Sequence, residues 1–440
     1  MTSRRRAFTN LVWLGVVVSG GIVSSLAPLF TPAPTTWMGT YGTENQHSFA
    51  DDITATNEEF VVIINNGKLM GLSGRGTVHW THSFNSTAIQ KVSSTSNGGL
   101  VAVGHTLRSG ATLNEELYLY HLDAQRRVVW ERTYAPPNAH YAQILFPSVI
   151  QTADGGFVVV ALVNEVRTWL WLIHVNAYGS PLWNVSAREY PAYGDVIPQA
   201  LLQTPERDFV IAGLLYDDED AMLLYILPSG VPLWNHTYGG SRLDVISSLI
   251  QTSDGDFVLA GYANSFGAGD RDAWLIRTDA DGIPRWNQTY GGAQDDVFSS
   301  LVQTSTGDFV LAGYTNSFGA GDRDAWLIRT DADGIPRWNQ TYGGLESDYV
   351  STVLQATDGG FILAGTTYSF GVGNSSAWVF KTDSLGQFFQ IPDLTGVLMV
   401  TGWGTSLVGA LALGITVADH ILTSRKAKEH SPTNSRDTDS

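Results

Sequence analysis

No cysteine occurs in the 440 residues. Disulfide staples, thiolate metal sites, iron–sulfur clusters and cysteine nucleophiles are thereby excluded. Charged residues are sparse at 15%, and 25 Lys and Arg face 42 Asp and Glu. The formal net charge of −17 leaves no basic stripe to neutralise phosphates, which argues against a nucleic-acid partner. His47, His79, His82, His105, His121, His140 and His174 are scattered, with no H-x-x-x-H or other metal spacing. No stretch between the two ends of the chain leaves room for long helices. Gly (46), Trp (14), Tyr (17) and Phe (18) are frequent instead, a mix that suits many short strands joined by tight turns.

The long apolar runs sit at the ends. Arg4, Arg5 and Arg6 precede an apolar stretch from Leu11 to about Phe30. A basic n-region before such a segment reads either as a signal peptide or as an uncleaved signal anchor. A second run, Leu394 to Ala418, carries no charge and is followed by Arg425, Lys426 and Lys428. About 20 apolar residues span a bilayer, and basic residues mark the cytoplasmic side. The expected division is residues 1–35 as signal peptide or anchor plus linker, 36–390 as the folded domain, 391–421 as a transmembrane helix and 422–440 as a cytoplasmic tail. The lipid bilayer is then one partner, and the domain lies outside the cell. Gly402, Ser406, Ala410 and Gly414 recur every four residues, a spacing that lets membrane helices approach closely and allows a homo-oligomer through this segment.

Between the ends the chain repeats itself. Residues Gly255–Gly292 and Gly307–Gly344 differ only where Ala263 becomes Thr315. Trp80, Trp130, Trp183, Trp234, Trp286 and Trp338 recur at intervals of 50 to 53 residues. One unit holds four strand-like runs, Val297–Gln303, Phe309–Tyr314, Ala325–Arg329 and Trp338–Tyr342, separated by Gly/Asp-rich turn chemistry. Period and strand content predict an all-β propeller of four-stranded antiparallel blades. A turn residue precedes each of the six tryptophans by four positions, from Gly76 and Arg126 to Gly334. The seventh turn ends at Gly386, and Gln390 stands where the tryptophan belongs. The opening Trp37-Met-Gly-Thr-Tyr-Gly matches Trp286-Asn-Gln-Thr-Tyr-Gly and supplies the missing strand. Seven blades closed by the N-terminal strand follow, with Phe388–Gln390 a short lead into the second apolar run.

The pattern Asp-x-x-Gly-x-x-x-Trp, as in Asp279, Gly282 and Trp286, resembles the tryptophan-docking motif of quinoprotein-type propellers. It is also similar to the propeller of the lipoprotein subunit of the outer-membrane β-barrel assembly machine. Gln-Thr-Ser-Asp-Gly-Asp-Phe-Val-Leu-Ala-Gly with Trp-Asn-Gln-Thr-Tyr-Gly-Gly resembles repeats of archaeal and bacterial surface proteins. The resemblance implies a propeller over Trp37–Gly386, with Trp37, Trp80, Trp130, Trp183, Trp234, Trp286 and Trp338 as docking residues. It implies little about activity.

Several residues could carry chemistry. Asp270 and Asp272, repeated as Asp322 and Asp324, offer hard oxygen ligands for calcium; otherwise they belong to a solvated loop copied with the repeat. Asp279 and Asp281 resemble part of a calcium loop, but other units place Leu-Pro-Ser-Gly or Asn-Ala-Tyr-Gly there, so the position reads as a turn. No catalytic residue and no other cofactor is assigned. Asn85, Asn184, Asn235, Asn287, Asn339 and Asn374 each begin N-x-S/T without an intervening proline, the acceptor pattern for N-glycans. Asn184, Asn235, Asn287 and Asn339 directly follow a tryptophan, and alternation along the outer strand puts them on the face opposite the indole. The expectation is an extracellular, membrane-anchored, non-enzymatic propeller that binds a protein or glycan or builds an envelope layer. An assembly scaffold and an exported enzyme, hydrolase or quinone-dependent oxidoreductase, are the alternatives. The binding face is expected at the loops between second and third strands: Leu107–Asn114, Asn164–Thr168, Tyr216–Asp220 and the Ser-Phe-Gly-Ala-Gly-Asp copies.

Overall fold

The computed structural model describes residues 36–42, 47–56, 59–65, 67–84, 87–106, 115–139, 142–165, 168–186 and 195–388. Both apolar runs and the cytoplasmic-tail assignment lie outside these residues, as do Asn85 and His140. No helix among the described residues is long and apolar enough to cross a membrane.

The described residues form seven four-stranded antiparallel sheets. In blade 6 the strands are Asp296–Gln303, Phe309–Thr315, Asp324–Thr330 and Pro336–Tyr342, each within two residues of the run read from the sequence. The first strands begin at Ala50, Thr87, Gln143, Val196, Asp244, Asp296 and Asp348 in blades 1 to 7. Each packs against the next, and that of blade 7 packs against that of blade 1. Seven hydrophobic clusters fill the seven boundaries between neighbouring blades. The core is thus a ring of flat contacts between sheets, which is why nearly every second strand is buried on both faces, as in Phe309–Thr315.

The N-terminal strand closes the ring. Trp37–Tyr41 pairs antiparallel with Ser376–Thr382, the third strand of blade 7, from Trp37 opposite Lys381 to Tyr41 opposite Ala377. A second clasp follows, with the Ser48 amide donating to the Ser375 carbonyl at 3.1 Å. Phe388 is more than a lead: its ring meets Phe380 edge-on at 6.1 Å and joins the cluster between blades 6 and 7. Trp338 and Tyr342 of blade 6 border that cluster too, and an aromatic at 388 extends it.

Each outer-strand tryptophan reaches the next blade. Trp130 Nε1 donates to the Ala177 carbonyl and Trp183 Nε1 to the Pro228 carbonyl, both at 2.9 Å. Four residues on, a tyrosine hydroxyl caps the same turn: Tyr238 to the Gly282 carbonyl at 2.7 Å, and Tyr290 to Gly334 at 2.6 Å. Gly282 has φ +79, and a Cβ there would stand 2.9 Å from the Trp234 ring. Both the left-handed backbone and the indole therefore require glycine. In blade 2 the position holds Arg126 at φ 66. Its guanidinium covers Trp80 at 5.8 Å and bonds Glu59 Oε1 at 2.7 Å, while Glu59 accepts the Trp80 indole N–H.

One regular feature has no counterpart in the strand pattern. Every first strand carries an irregularity in its register, between Ile246 and Ser248 in blade 5 and between Phe298 and Ser300 in blade 6. The extra residue bends the strand, and in blades 2, 4, 5, 6 and 7 a glycine opposite it lets the backbones close in: a Cβ on Gly261 would lie 1.9 Å from the Val245 carbonyl oxygen.

Candidate binding site

Antiparallel blades divide the propeller into two faces. One carries the turns between first and second and between third and fourth strands. The opposite one, called here the loop face, carries the second-to-third loops and the blade-to-blade connections. Trp37 begins a fourth strand and Phe388 follows a third-to-fourth turn, so both ends of the described propeller lie on the turn face.

The buried carboxylates build the loop face. Asp244 Oδ1 accepts the Asn264 and Ser265 amides at 3.0 and 3.2 Å, and its Oδ2 accepts the Gly240 amide and the Ser265 hydroxyl at 2.8 and 2.7 Å. One aspartate thus ties the incoming connection to the loop of its own blade. Asp296 and Asp348 repeat the arrangement. In the unit where Ala263 becomes Thr315, the added hydroxyl donates to Asp296 Oδ1.

The calcium candidates separate. Asp272 and Asp324 are buried, whereas Asp270 and Asp322 point to solvent. Asp272 Oδ2 accepts the Gly269 amide at 2.8 Å, and Asp324 Oδ2 accepts the Ala320 and Gly321 amides at 2.9 Å. Burial raises the Asp324 carboxyl above its ordinary range against these two amide bonds, with the Asp348 charge adding to the rise. Among the described residues no three His, Asp or Glu side chains converge as a metal centre. Asp279 Oδ1 accepts the Asp281 and Ile283 amides at 3.0 and 2.8 Å, which makes it the cap of a tight turn.

Two histidines, part-buried His121 and buried His174, pack among the docking tryptophans. His121 packs 5.4 Å from both Trp130 and Phe157, and His174 packs 5.3 Å from Trp183. Burial lowers both imidazoles below their usual range, with Asp123 and Asp154 respectively opposing the shift.

Three openings stand out among the described residues. The channel narrows to a space of about 310 Å³ beside Asp51, Gln90, Lys91 and Phe146. On the turn face its mouth widens to about 1260 Å³, lined mainly by Ser, Thr, Gln and Leu. On the loop face a cradle of about 350 Å³ lies between blades 6 and 7, lined by Tyr314, Arg323, Glu346, Ser347, Tyr349 and Tyr368. Of the three, the cradle alone sets a guanidinium among several aromatic rings. Arg323 Cζ lies 4.9 Å from the centre of the Tyr314 ring, a cation–π contact that holds the charge at the opening.

No family profile matches the chain, and no curated protein does. Solved structures share its fold. The Dos1 propeller is 13% identical with a TM-score of 0.48, covering 77% of this chain and 80% of its own. The Pan2 WD40 domain of Neurospora crassa is 12% identical with a TM-score of 0.48, covering 78% and 91%. BamB from Moraxella catarrhalis is 15% identical with a TM-score of 0.41, covering 77% and 99%. These are likenesses of architecture, and the cradle rests on this chain's own residues.

The loops between second and third strands were the sequence's candidates for a binding face; the cradle was not read from it. Of the expected loops, 107–114 lies outside the described residues, and so do residues 166 and 167 of the next. The copies 265–270 and 317–322 stand on the loop face beside Tyr262 and Tyr314. The signal that could have found the site was the pairing of Tyr262 with Arg271 and of Tyr314 with Arg323, both spaced by nine residues. Of the sequons, Asn184, Asn235, Asn287, Asn339 and Asn374 are all exposed.

Proposed function

We propose that this protein is a membrane-anchored extracellular binding propeller that engages its partner at the loop face of blades 5 to 7, without catalysis. The observation that carries the reading is the cradle between blades 6 and 7, where the Arg323 guanidinium lies over Tyr314 beside Glu346, Tyr349 and Tyr368. Aromatic faces with a few fixed polar groups are the usual makeup of a recognition site.

The anchoring half of the proposal comes from the two apolar runs with their basic flanks. The propeller's two described ends share the turn face, opposite the loop face. Exposed sequons on the outer strands fit a chain displayed outside the cell.

Full-length protein in nanodiscs, probed against glycan and protein arrays beside Arg323→Ala, tests this reading. Ligands captured by the wild type and lost by the variant are expected. Capture that the variant leaves unchanged would place binding elsewhere and contradict it.

A further inference from the structure

We infer that the cradle and its copy one blade earlier form two linked subsites for a carboxylated glycan chain of the uronate type. This rests on the reading that the loop face of blades 5 to 7 is the binding face, and it names the ligand class.

The cradle is half of a repeated device. In blade 5, Arg271 Cζ lies 5.2 Å from the Tyr262 ring centre, as Arg323 lies over Tyr314 in blade 6. The order along the face is Tyr262, Arg271, Tyr314, Arg323, and then Tyr349 and Tyr368. Aromatic ring and cation thus alternate across three consecutive blades.

The two guanidiniums stand out by what they lack. Arg126, Arg277 and Arg329, similarly shielded, each pair with a carboxylate at 2.7 to 2.8 Å. Arg271 and Arg323 are half-buried, and no carboxylate among the described residues forms an ion pair with either. A shielded guanidinium presents a planar fork of donors that matches a carboxylate bidentately.

The rest of the strip selects among anions. Tyrosine faces suit the C–H face of a sugar ring, while Glu346, Ser347 and the tyrosine hydroxyls can bond its hydroxyl groups. A sugar acid, with hydroxyls around one carboxylate, meets all of these groups.

The test is calorimetric titration of full-length protein in nanodiscs with galacturonate oligomers of increasing length, a neutral glucan of equal length, and polyglutamate. Affinity for the uronates should rise with length until both subsites are spanned and fall with salt. Arg323→Ala and Arg271→Ala should each weaken the long oligomer by about tenfold or more. Arg323→Lys should recover only part of that, because the ammonium lacks the planar fork. Near-UV circular dichroism unchanged from the wild type establishes that each variant is folded. Glucan binding equal to uronate, polyglutamate binding as tight or tighter, or no binding of any uronate would overturn the inference. A long oligomer indifferent to Arg271→Ala would also overturn it. If an array ligand is lost in Arg323→Ala but bears no carboxylate, the inference fails while the loop-face reading stands; if Arg323→Ala changes no captured ligand, that reading itself fails.

Discussion

Trp37 Nε1 donates a hydrogen bond of 2.8 Å to the Gly74 carbonyl, so the first described strand, paired within blade 7, grips blade 1. Four residues later the Tyr41 hydroxyl reaches the Gly76 carbonyl at 3.0 Å. The boundary that closes the ring is therefore built like the one between blades 2 and 3, where Trp130 donates to the Ala177 carbonyl and Tyr134 to the Gly179 carbonyl.

Trp37→Ala should destabilise the propeller by about 2–4 kcal/mol, since a half-buried indole and its bond are lost together. Scanning calorimetry should show one cooperative transition moved to lower temperature. Two transitions, or no change, would mean that blade 7 is stable without its borrowed strand.

Gly261→Ala is expected to cost about 1–3 kcal/mol or more, because the new methyl meets a backbone carbonyl that cannot rotate away. Gly74→Ala is the control, as a Cβ there meets nothing within 4 Å. Denaturant midpoints that rank the two the other way would refute the account of the strand irregularity.

Trp37 and Gly261 show what was legible in the sequence. The tryptophan period and the match between 37–42 and 286–291 revealed the blade count and the closing strand, because docking uses one residue type at one offset. The strand irregularity was not legible. It depends on backbone approach between first and second strands, and its only mark is the glycine of Leu-Ala-Gly, which reads equally well as an ordinary weak strand position. The cradle was hidden for a related reason: Tyr314 and Tyr349 come from different blades, and only packing brings them together. The aspartates at 270 and 272 read alike in the sequence, but the fold leaves the first exposed and buries the second.

Acid should reveal the two histidines beside the docking tryptophans. His121 and His174 have folded-state values below the ordinary range. Their neutral forms therefore contribute stability that is complete above the unfolded value, about 6.5. It is lost as pH falls through the lower folded value. His121→Phe and His174→Phe should flatten that acid limb in melting temperature measured against pH. A limb as steep in the double variant as in the wild type would assign it to other groups.

The sequons at Asn287 and Asn339 stand exposed on outer strands. In the native host, replacing both with Gln should lower apparent mass by two glycans on gels. An unchanged mass would reduce them to residues carried along with the repeat.

The most direct test of a surface-displayed loop face uses the absence of cysteine. In Asp322→Cys the new thiol stands at an exposed position on the loop face, and in Ser440→Cys it stands at the C-terminus; each is the sole thiol in its chain. A membrane-impermeant maleimide applied to intact cells should label the variant at 322 at once and the variant at 440 only after lysis. Labelling at 440 with protection at 322 would contradict the account.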